Sequence, residues 1–548
     1  MEKLDPKTDG ASKNIVEANI EKLKAIFPSV FTEGKIDFDS LKETLGDYTD
    51  DRPERYSFNW NGKARARLIA QTPSTGTLRP CPEESVNWDT TQNLFIEGDN
   101  LEVLKLLQKS YHKKVKVIYI DPPYNTGNEF IYPDKFAENL DTYLRYTGQI
   151  DDEGFKISAN AETSGRFHTN WLNMIYPRLK LARNLLADDG VIAVSIDDNE
   201  LFQLGNLMDD IFGETNRLAC APWLSEASGG KEKTGLRTGH EYLLIYVKET
   251  SVNITQEERS TGELNLRDDQ GSYRKGRELM KWGGTSLRSD RPNQFYSLPA
   301  PDGTQVYPYR NDGKEGHWRW GKANENSVQA QSNPAVLHWE IRPFDSGVIV
   351  SGKAERWVPY EKIRDKKKSV GWSTWLDKYG TNADATRELK DLFGFKPFDT
   401  PKPATLIEWI INLHQDENAL ALDFFAGSAS LAHAVLNLNQ ADGGSRRFVC
   451  VQLPEPLDSE ISVDDARLRT VADIGKERIR RVIKNLSAVH SKTDETAQKT
   501  LIDCSEELPN GDLGFKVFKL DASNVIPWDA DFDTLESSLF AGAIPLAE

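Results

Sequence analysis

The sequence predicts an α/β fold built on a doubly wound, mostly parallel sheet with a large insertion. Three observations carry this. Short apolar runs such as Val117-Ile118-Tyr119-Ile120 and Val191-Ile192-Ala193-Val194-Ser195-Ile196 read as strands buried on both faces, being β-branched, apolar and abruptly ended. Amphipathic stretches of helical period separate such runs, so strands and helices alternate from 94 to 248. From 251 to about 395 the alternation gives way to short strands and turn formers, and it resumes at 400.

Composition sets the outer limits. The chain has 548 residues, 38% hydrophobic and 28% charged, which suits a globular protein of several domains. It contains no apolar run of membrane-spanning length, and MEKLDPKTDG is not a signal peptide. Cys81, Cys220, Cys450 and Cys504 form no paired motif, so neither a disulfide framework nor a metal site is expected, and a reducing cytoplasm is the natural setting. The formal net charge of −17 argues against a polyanionic partner, but unevenly. Residues 261–400 carry 23 Lys+Arg against 19 Asp+Glu and hold seven of the 13 tryptophans, a pattern that fits either a nucleic-acid surface or a Trp-rich packed domain. Lys366, Lys367 and Lys368 form the densest positive run, which fits either a phosphate contact or a solvated surface turn.

The elements follow in order. Residues 1–90 form a helical and irregular region, with helical spacing over 14–23. A strand at Leu94–Glu97 runs into Gly98-Asp99-Asn100 and a helix; Asp99 or Asn100 caps that helix, or Asp99 faces a nucleoside at the strand's carboxyl end. The next strand ends in Asp121-Pro122-Pro123-Tyr124. Two prolines stiffen the backbone and remove two N–H groups. What remains is a carboxylate, carbonyl oxygens and an aromatic face, suited to a flat heterocycle bearing an NH₂ group.

Residues 171–186 form a helix interrupted near Pro177, followed by the strand at 191–196 and another at 240–248. This gives domain boundaries of 91–250, the insertion 251–395, a second half 396–500 and a C-terminal segment 501–548. A proline-led helix begins near Pro401. Ala419–Phe425 is a strand that ends in the small-residue turn Ala426-Gly427-Ser428-Ala429-Ser430 and opens a helix, the general geometry of a nucleotide site. One glycine and no phosphate-gripping lysine exclude a P-loop. At the end of the adjacent strand, Gln452 and Glu455 are the candidates for holding a ribose.

DPPYNTG at 121–127, FFAGSAS at 424–430 and TPKPATLI at 400–407 resemble the signature motifs of amino-group DNA methyltransferases that use S-adenosylmethionine. Their order, with the catalytic motif first and a variable region between, resembles the β class. IEGDNLEVLKLL at 96–107, VSIDDNE at 194–200, VADIGKERIRRVI at 471–483 and LGFKVFKLDASN at 513–524 narrow the resemblance to the Mod subunits of type III restriction–modification systems.

The resemblance implies a Rossmann-like S-adenosylmethionine-dependent methyltransferase domain with permuted motifs and an inserted target-recognition domain. It implies N6-adenine methylation of double-stranded DNA by base flipping, a homodimer and a Res helicase–nuclease partner. Asp121 and the Pro122 carbonyl would accept hydrogen bonds from the adenine amine, Pro123 would stiffen the motif, and Tyr124 would stack on the base. Asp423, Phe425 and Gly427 would line the cofactor, Lys402 and Pro403 would lie near its methionine part, and Asp99 would face its adenine. Ala429 departs from the family's second glycine, Gln452 from its usual acid, and the segment after Trp528 is shorter than the family's. Methylation of cytosine N4, or a specificity subunit with an impaired site, are the alternatives.

Overall fold

A computed structural model describes residues 14–32, 35–45, 57–126, 167–229, 232–233, 235–252, 254–463, 466–497 and 511–522. The C-terminal tail after 522, residues 127–166 and Cys504 lie outside the described residues. The chain divides into two compact units, residues 1–255 with 373–548, and residues 256–372.

The first unit is organised by a nine-stranded sheet. Its strands, numbered in chain order, are β1 (Gly76–Pro80), β2 (Leu94–Glu97), β3 (Val115–Ile120), β4 (Leu186–Ile196), β5 (Arg217–Leu224), β6 (His240–Val247), β7 (Leu420–Asp423), β8 (Arg447–Gln452) and β9 (Lys516–Ala522). Across the sheet they run β1-β9-β2-β8-β7-β3-β4-β6-β5. Six neighbours from β9 to β4 are parallel, while β1, β6 and β5 pair antiparallel at the edges. The central strands are buried throughout, as their unbroken apolar runs require.

Seven helices bear on the site: α1 (Asn100–Tyr111), α2 (Phe167–Leu185), α3 (Leu201–Phe212), α4 (Asn382–Phe393), α5 (Ala404–Ile411), α6 (Ser430–Asp442) and α7 (Val471–Ala497). α2 runs unbroken through Pro177. A proline there costs about 3 kcal/mol of helix stability, and burial of Trp171, Ile175, Leu179 and Ala182 on the same helix offsets it. β4 begins at Leu186, five residues before the apolar run, with its two exposed acids Asp188 and Asp189 taken up by Lys113 and Lys116.

Sequence neighbours are not sheet neighbours. β2 and β3 flank a single helix in the sequence, yet β8 and β7 lie between them. β7 pairs directly with β3, Ala421 opposite Val117 and Leu422 opposite Ile118. From β3 the chain goes on to β4 on one side, and from β7 to β8 on the other. The crevice at the carboxyl ends of β3 and β7 is therefore the topological switch point, where open α/β sheets hold ligands.

The second unit, 256–372, is smaller than the insertion expected from the sequence. Residues 373–395, including α4, belong with the first unit. Its four-stranded antiparallel sheet orders 266–268, 271–278, 355–363 and 337–343. Leu279, Met280, Leu298, Trp318 and Leu337 form its core, against which Trp320, Trp339 and Trp357 pack. Most of the tryptophan enrichment is thus packing, with Trp282 at 38% and Trp375 at 60% the exposed exceptions. Lys366, Lys367 and Lys368 are exposed, and Lys367 pairs with Glu258 across the two-stranded sheet of 257–260 and 367–370. Among the described residues no helix is long and apolar enough to cross a membrane.

Candidate active site

Asp121 follows directly on β3, and Asp423 is the last residue of β7. The sheet thus brings the two motifs together. Asp121 is bound on both oxygens: Lys402 Nζ donates to Oδ2 at 2.8 Å and the Tyr124 hydroxyl donates to Oδ1 at 2.8 Å. Behind the tetrapeptide, Trp171 Nε1 donates to the Pro123 carbonyl at 2.7 Å, while Pro122 is buried. Asn125 holds a left-handed φ of 59° and donates to the buried Glu200, which also meets His168 Nδ1 at 2.8 Å. Such bonds fix the turn that leaves the motif.

A second carboxylate, Glu241 on β6, completes the cluster. Its Oε2 lies 2.9 Å from the Tyr124 hydroxyl, whose single proton it shares with Asp121 Oδ1, and 3.4 Å from Lys402 Nζ. Asn382, the first residue of α4, donates to Oε1 at 3.3 Å. The ammonium also sits 5.0 Å from the Tyr124 ring centroid and 5.9 Å from that of Trp223. Burial works against ionising Glu241, but Lys402 and the bonds from Tyr124 and Asn382 hold it below the usual carboxylate range. At Asp121 burial wins and lifts the carboxyl above its ordinary value, with Lys402 pulling the other way.

The turn after β7 is built for close approach. The Phe425 N–H donates to Asp423 Oδ1 at 3.0 Å, Gly427 has φ 49°, and its N–H donates to Gln452 Oε1 at 2.6 Å. Ala429 adopts φ 62° and ψ 44°, a left-handed conformation that favours glycine, and it is fully buried. Asn100 Nδ2 donates to the Phe424 carbonyl at 2.7 Å, and Ser430 Oγ donates to the Lys402 carbonyl at 2.8 Å. The β2 turn, the Lys402-Pro403 segment and the β7 turn are thereby stitched into one cradle. Burial, reinforced by the charge of Asp121 and only partly opposed by the Phe425 N–H, pushes the Asp423 carboxyl up to about 8.

Beneath this cradle lies a buried arginine. Arg478 on α7 reaches Ser428 Oγ at 3.0 Å, Ser430 Oγ at 2.9 Å, Glu388 at 3.3 Å and His433 Nδ1 at 3.2 Å. Glu388 on α4 in turn accepts from the Ala404 N–H at 3.2 Å. One network ties the turn to α4, α5, α6 and α7.

The residues anticipated from the sequence fall into three groups. Asp121, Pro122, Pro123 and Tyr124 form one cluster, and Lys402 joins it through its side chain rather than standing only beside the cofactor turn. Asp423, Phe425, Gly427, Gln452 and Pro403, the residue preceding α5, line the cradle. Asp99 caps α1 through Oδ1 and meets Arg178 Nη2 at 3.3 Å through Oδ2, so the capping role holds whatever else it touches. Glu455 stands apart, with no side-chain hydrogen bond to the cradle among the described residues, and burial raises its carboxyl. Sequence reasoning missed Glu241, Asn382, Trp223 and Arg478. A glutamate opening the apolar run of β6 was the available signal for the first, whereas the others give none.

Cys81, Glu83 and Glu84 lie close enough to hold a metal ion, but Lys476 and Lys519 already engage the Glu84 carboxylate. A cavity lined by Asn87, Gln92, Asn418, Ser445 and Arg447 opens at the amino ends of the parallel strands, away from the crevice.

A family model described as DNA methylase matches residues 115–453. The chain is 34% identical to the type III restriction–modification enzyme EcoPI Mod subunit of Escherichia phage P1, over 84% of this chain and 74% of that one. It is 31% identical to the StyLTI Mod subunit of Salmonella typhimurium strain LT2, over 89% and 69%. The type II methyltransferase M.KpnI of Klebsiella pneumoniae is 33% identical over 72% of this chain and 89% of its own length.

Proposed function

The chain belongs to the DNA methylase family and, within it, to the Mod subunits of type III restriction–modification enzymes, and from that premise we propose its reaction: methyl transfer from S-adenosylmethionine to the N6 amine of adenine in double-stranded DNA. The observation that carries the reading is the meeting of Asp121 and Asp423 at the carboxyl ends of paired strands, with motifs distant in sequence forming one crevice. The same premise extends to partners. Residues 256–372 read the target sequence, two copies of the chain act together, and a Res subunit joins them in the cytoplasm.

The cradle fits the proposed methyl donor. Asp423 is a buried carboxyl with no cation beside it among the described residues, so a cationic ligand would supply the missing counter-charge. Gly427 lets that ligand approach the backbone, since its left-handed φ of 49° disfavours any side chain. Asp423, Phe425, Gly427, Pro403 and Gln452 would hold it, with Asp99 and Glu455 as outer candidates. When bound, S-adenosylmethionine offers a sulfonium methyl, which the amine lone pair takes as the carbon–sulfur bond breaks and its electrons stay on sulfur.

The remaining work falls to the chain. Adenine leaves the duplex, and its ring lies against Tyr124. Asp121 and the Pro122 carbonyl accept the two N–H bonds of the amine, which makes the nitrogen more tetrahedral and exposes its lone pair. The nitrogen gains positive charge as the bond forms, and the Asp121 carboxylate stabilises that charge. Asp121 then takes the surplus proton at Oδ2 and passes it to solvent. Fixed geometry supplies most of the rate.

Expression in a host without DNA methylation, followed by genome-wide mapping of modified bases, tests the proposal. N6-methyladenine within one short motif is the expected result. N4-methylcytosine would replace the substrate, and unmodified DNA would leave a binding-only specificity subunit.

A further inference from the structure

Lys402 occupies the place that the proposed reaction gives to the target amine. Its ammonium donates to Asp121 Oδ2 at 2.8 Å and lies over the Tyr124 ring at 5.0 Å, which is where the NH₂ group and the stacked base would sit. Tyr124 meanwhile holds Asp121 Oδ1. For Asp121 to accept the amine, this ammonium has to move. It is only 7% exposed, so it cannot move out into water without rearranging the pocket.

A second anion stands within its reach. Glu241 Oε2 is 3.4 Å from the same ammonium and 2.9 Å from the Tyr124 hydroxyl, so both donors that occupy Asp121 already face Glu241. The bond from Asn382 to Oε1 turns Oε2 toward them. Glu241 comes from β6, an antiparallel strand outside every motif that ends in the crevice.

We propose that Glu241 is a positioning residue for methyl transfer: it receives the Lys402 ammonium and keeps the Tyr124 hydroxyl when Asp121 turns its carboxylate to the target amine. The inference rests on the methyltransferase reading of the site. A shift of well under one side-chain length exchanges one ion pair for another, so no charge is left unpaired during the exchange. With glutamine at 241, Lys402 keeps Asp121 as its sole anionic partner, and the carboxylate stays clamped.

Turnover at saturating cofactor and DNA, with KM for each, is to be measured for wild type, Glu241→Gln, Lys402→Met and the double variant. Glu241→Gln should lower kcat by about tenfold or more while moving either KM by less than about threefold. The double variant should turn over faster than Glu241→Gln alone, because no ammonium remains to clamp Asp121. A purely structural Glu241 predicts the reverse, a double variant slower than either single one. Should Glu241→Gln melt below the assay temperature, Glu241→Asp carries the test: its withdrawn carboxylate should lower kcat with KM unchanged. Wild-type protein that methylates no DNA overturns the function and this inference together. Active wild type with an unchanged kcat in Glu241→Gln, or with a double variant slower than both, overturns the inference alone.

Discussion

Asp121 and Asp423 end neighbouring parallel strands, yet only Asp121 has a cation at hand, Lys402 at 2.8 Å, while Asp423 is pushed up to about 8. At neutral pH Asp423 therefore keeps its proton. The consequence for stability has a definite sign. Between roughly pH 4 and 8 the folded chain keeps a proton that the unfolded chain has released, so stability falls as pH rises through that window. It is full below pH 4 and flat again above pH 8. Urea unfolding across this range should show wild type losing a few kcal/mol relative to Asp423→Asn, on the order set by linkage. Parallel curves would mean that Asp423 is ionised.

Asp121→Ala and Tyr124→Ala should each lower methyl transfer by at least about 100-fold, with cofactor binding largely intact. Asp121 loses the acceptor for the amine and Tyr124 the face for the base, whereas the turn at 425–427 is held by Asp423 and Gln452. Transfer of labelled methyl to DNA and calorimetry with the cofactor separate the two quantities. Activity retained in both variants would remove these residues from the reaction.

Arg478→Leu should destabilise the fold by about 3–5 kcal/mol, the usual cost of stripping one partner from a buried ion pair. It leaves Glu388 with His433 and the Ala404 N–H but without its permanent counter-charge, and it frees Ser428 and Ser430. Arg478→Lys should not rescue cofactor affinity, since a single ammonium cannot span two serines, a glutamate and a histidine. Denaturant melts and cofactor titration check both statements.

Much of this was legible in the sequence, for reasons particular residues make clear. Runs such as 117–120 and 420–422 are apolar without alternation, which only strands covered on both faces require. Pro122, Pro123 and the small-residue turn at 426–430 mark where those strands stop. Glu241 stayed hidden because its role depends on which strand pairs with β4, and that pairing leaves no periodic trace. The limit of the insertion was displaced for a similar reason. α4 carries an ordinary capping box, Thr381 with Asp384, and nothing local reveals that Asn382 and Glu388 reach Glu241 and Arg478.

Ala429→Gly should leave stability within about 1 kcal/mol of wild type, because relief of the left-handed backbone is offset by a lost methyl contact and a freer unfolded chain. Ala429→Val should cost more than about 2 kcal/mol, adding a β-branched side chain to a fully buried left-handed position. Urea melts of the three proteins decide this, and a strongly destabilised glycine variant would contradict it.

Replacing Lys366 and Lys368 with alanine should reduce the slope of log affinity for DNA against log salt by about 1–2. Lys367 should add little, since Glu258 already lies 2.7 Å from its ammonium. An unchanged slope would make the run a solvated turn.

The position of β9 has a consequence for how the protein comes into being. Residues 516–522 fill the slot between β1 and β2, and β7 must arrive beside β3 across 299 intervening residues. A chain emerging from the ribosome therefore exposes the bare edges of β2 and β3 while the 256–372 unit can already close upon itself. All strands of the 256–372 unit are made before β7 and β8. Among the described strands β9 comes latest in the chain, and it seals β1 against β2.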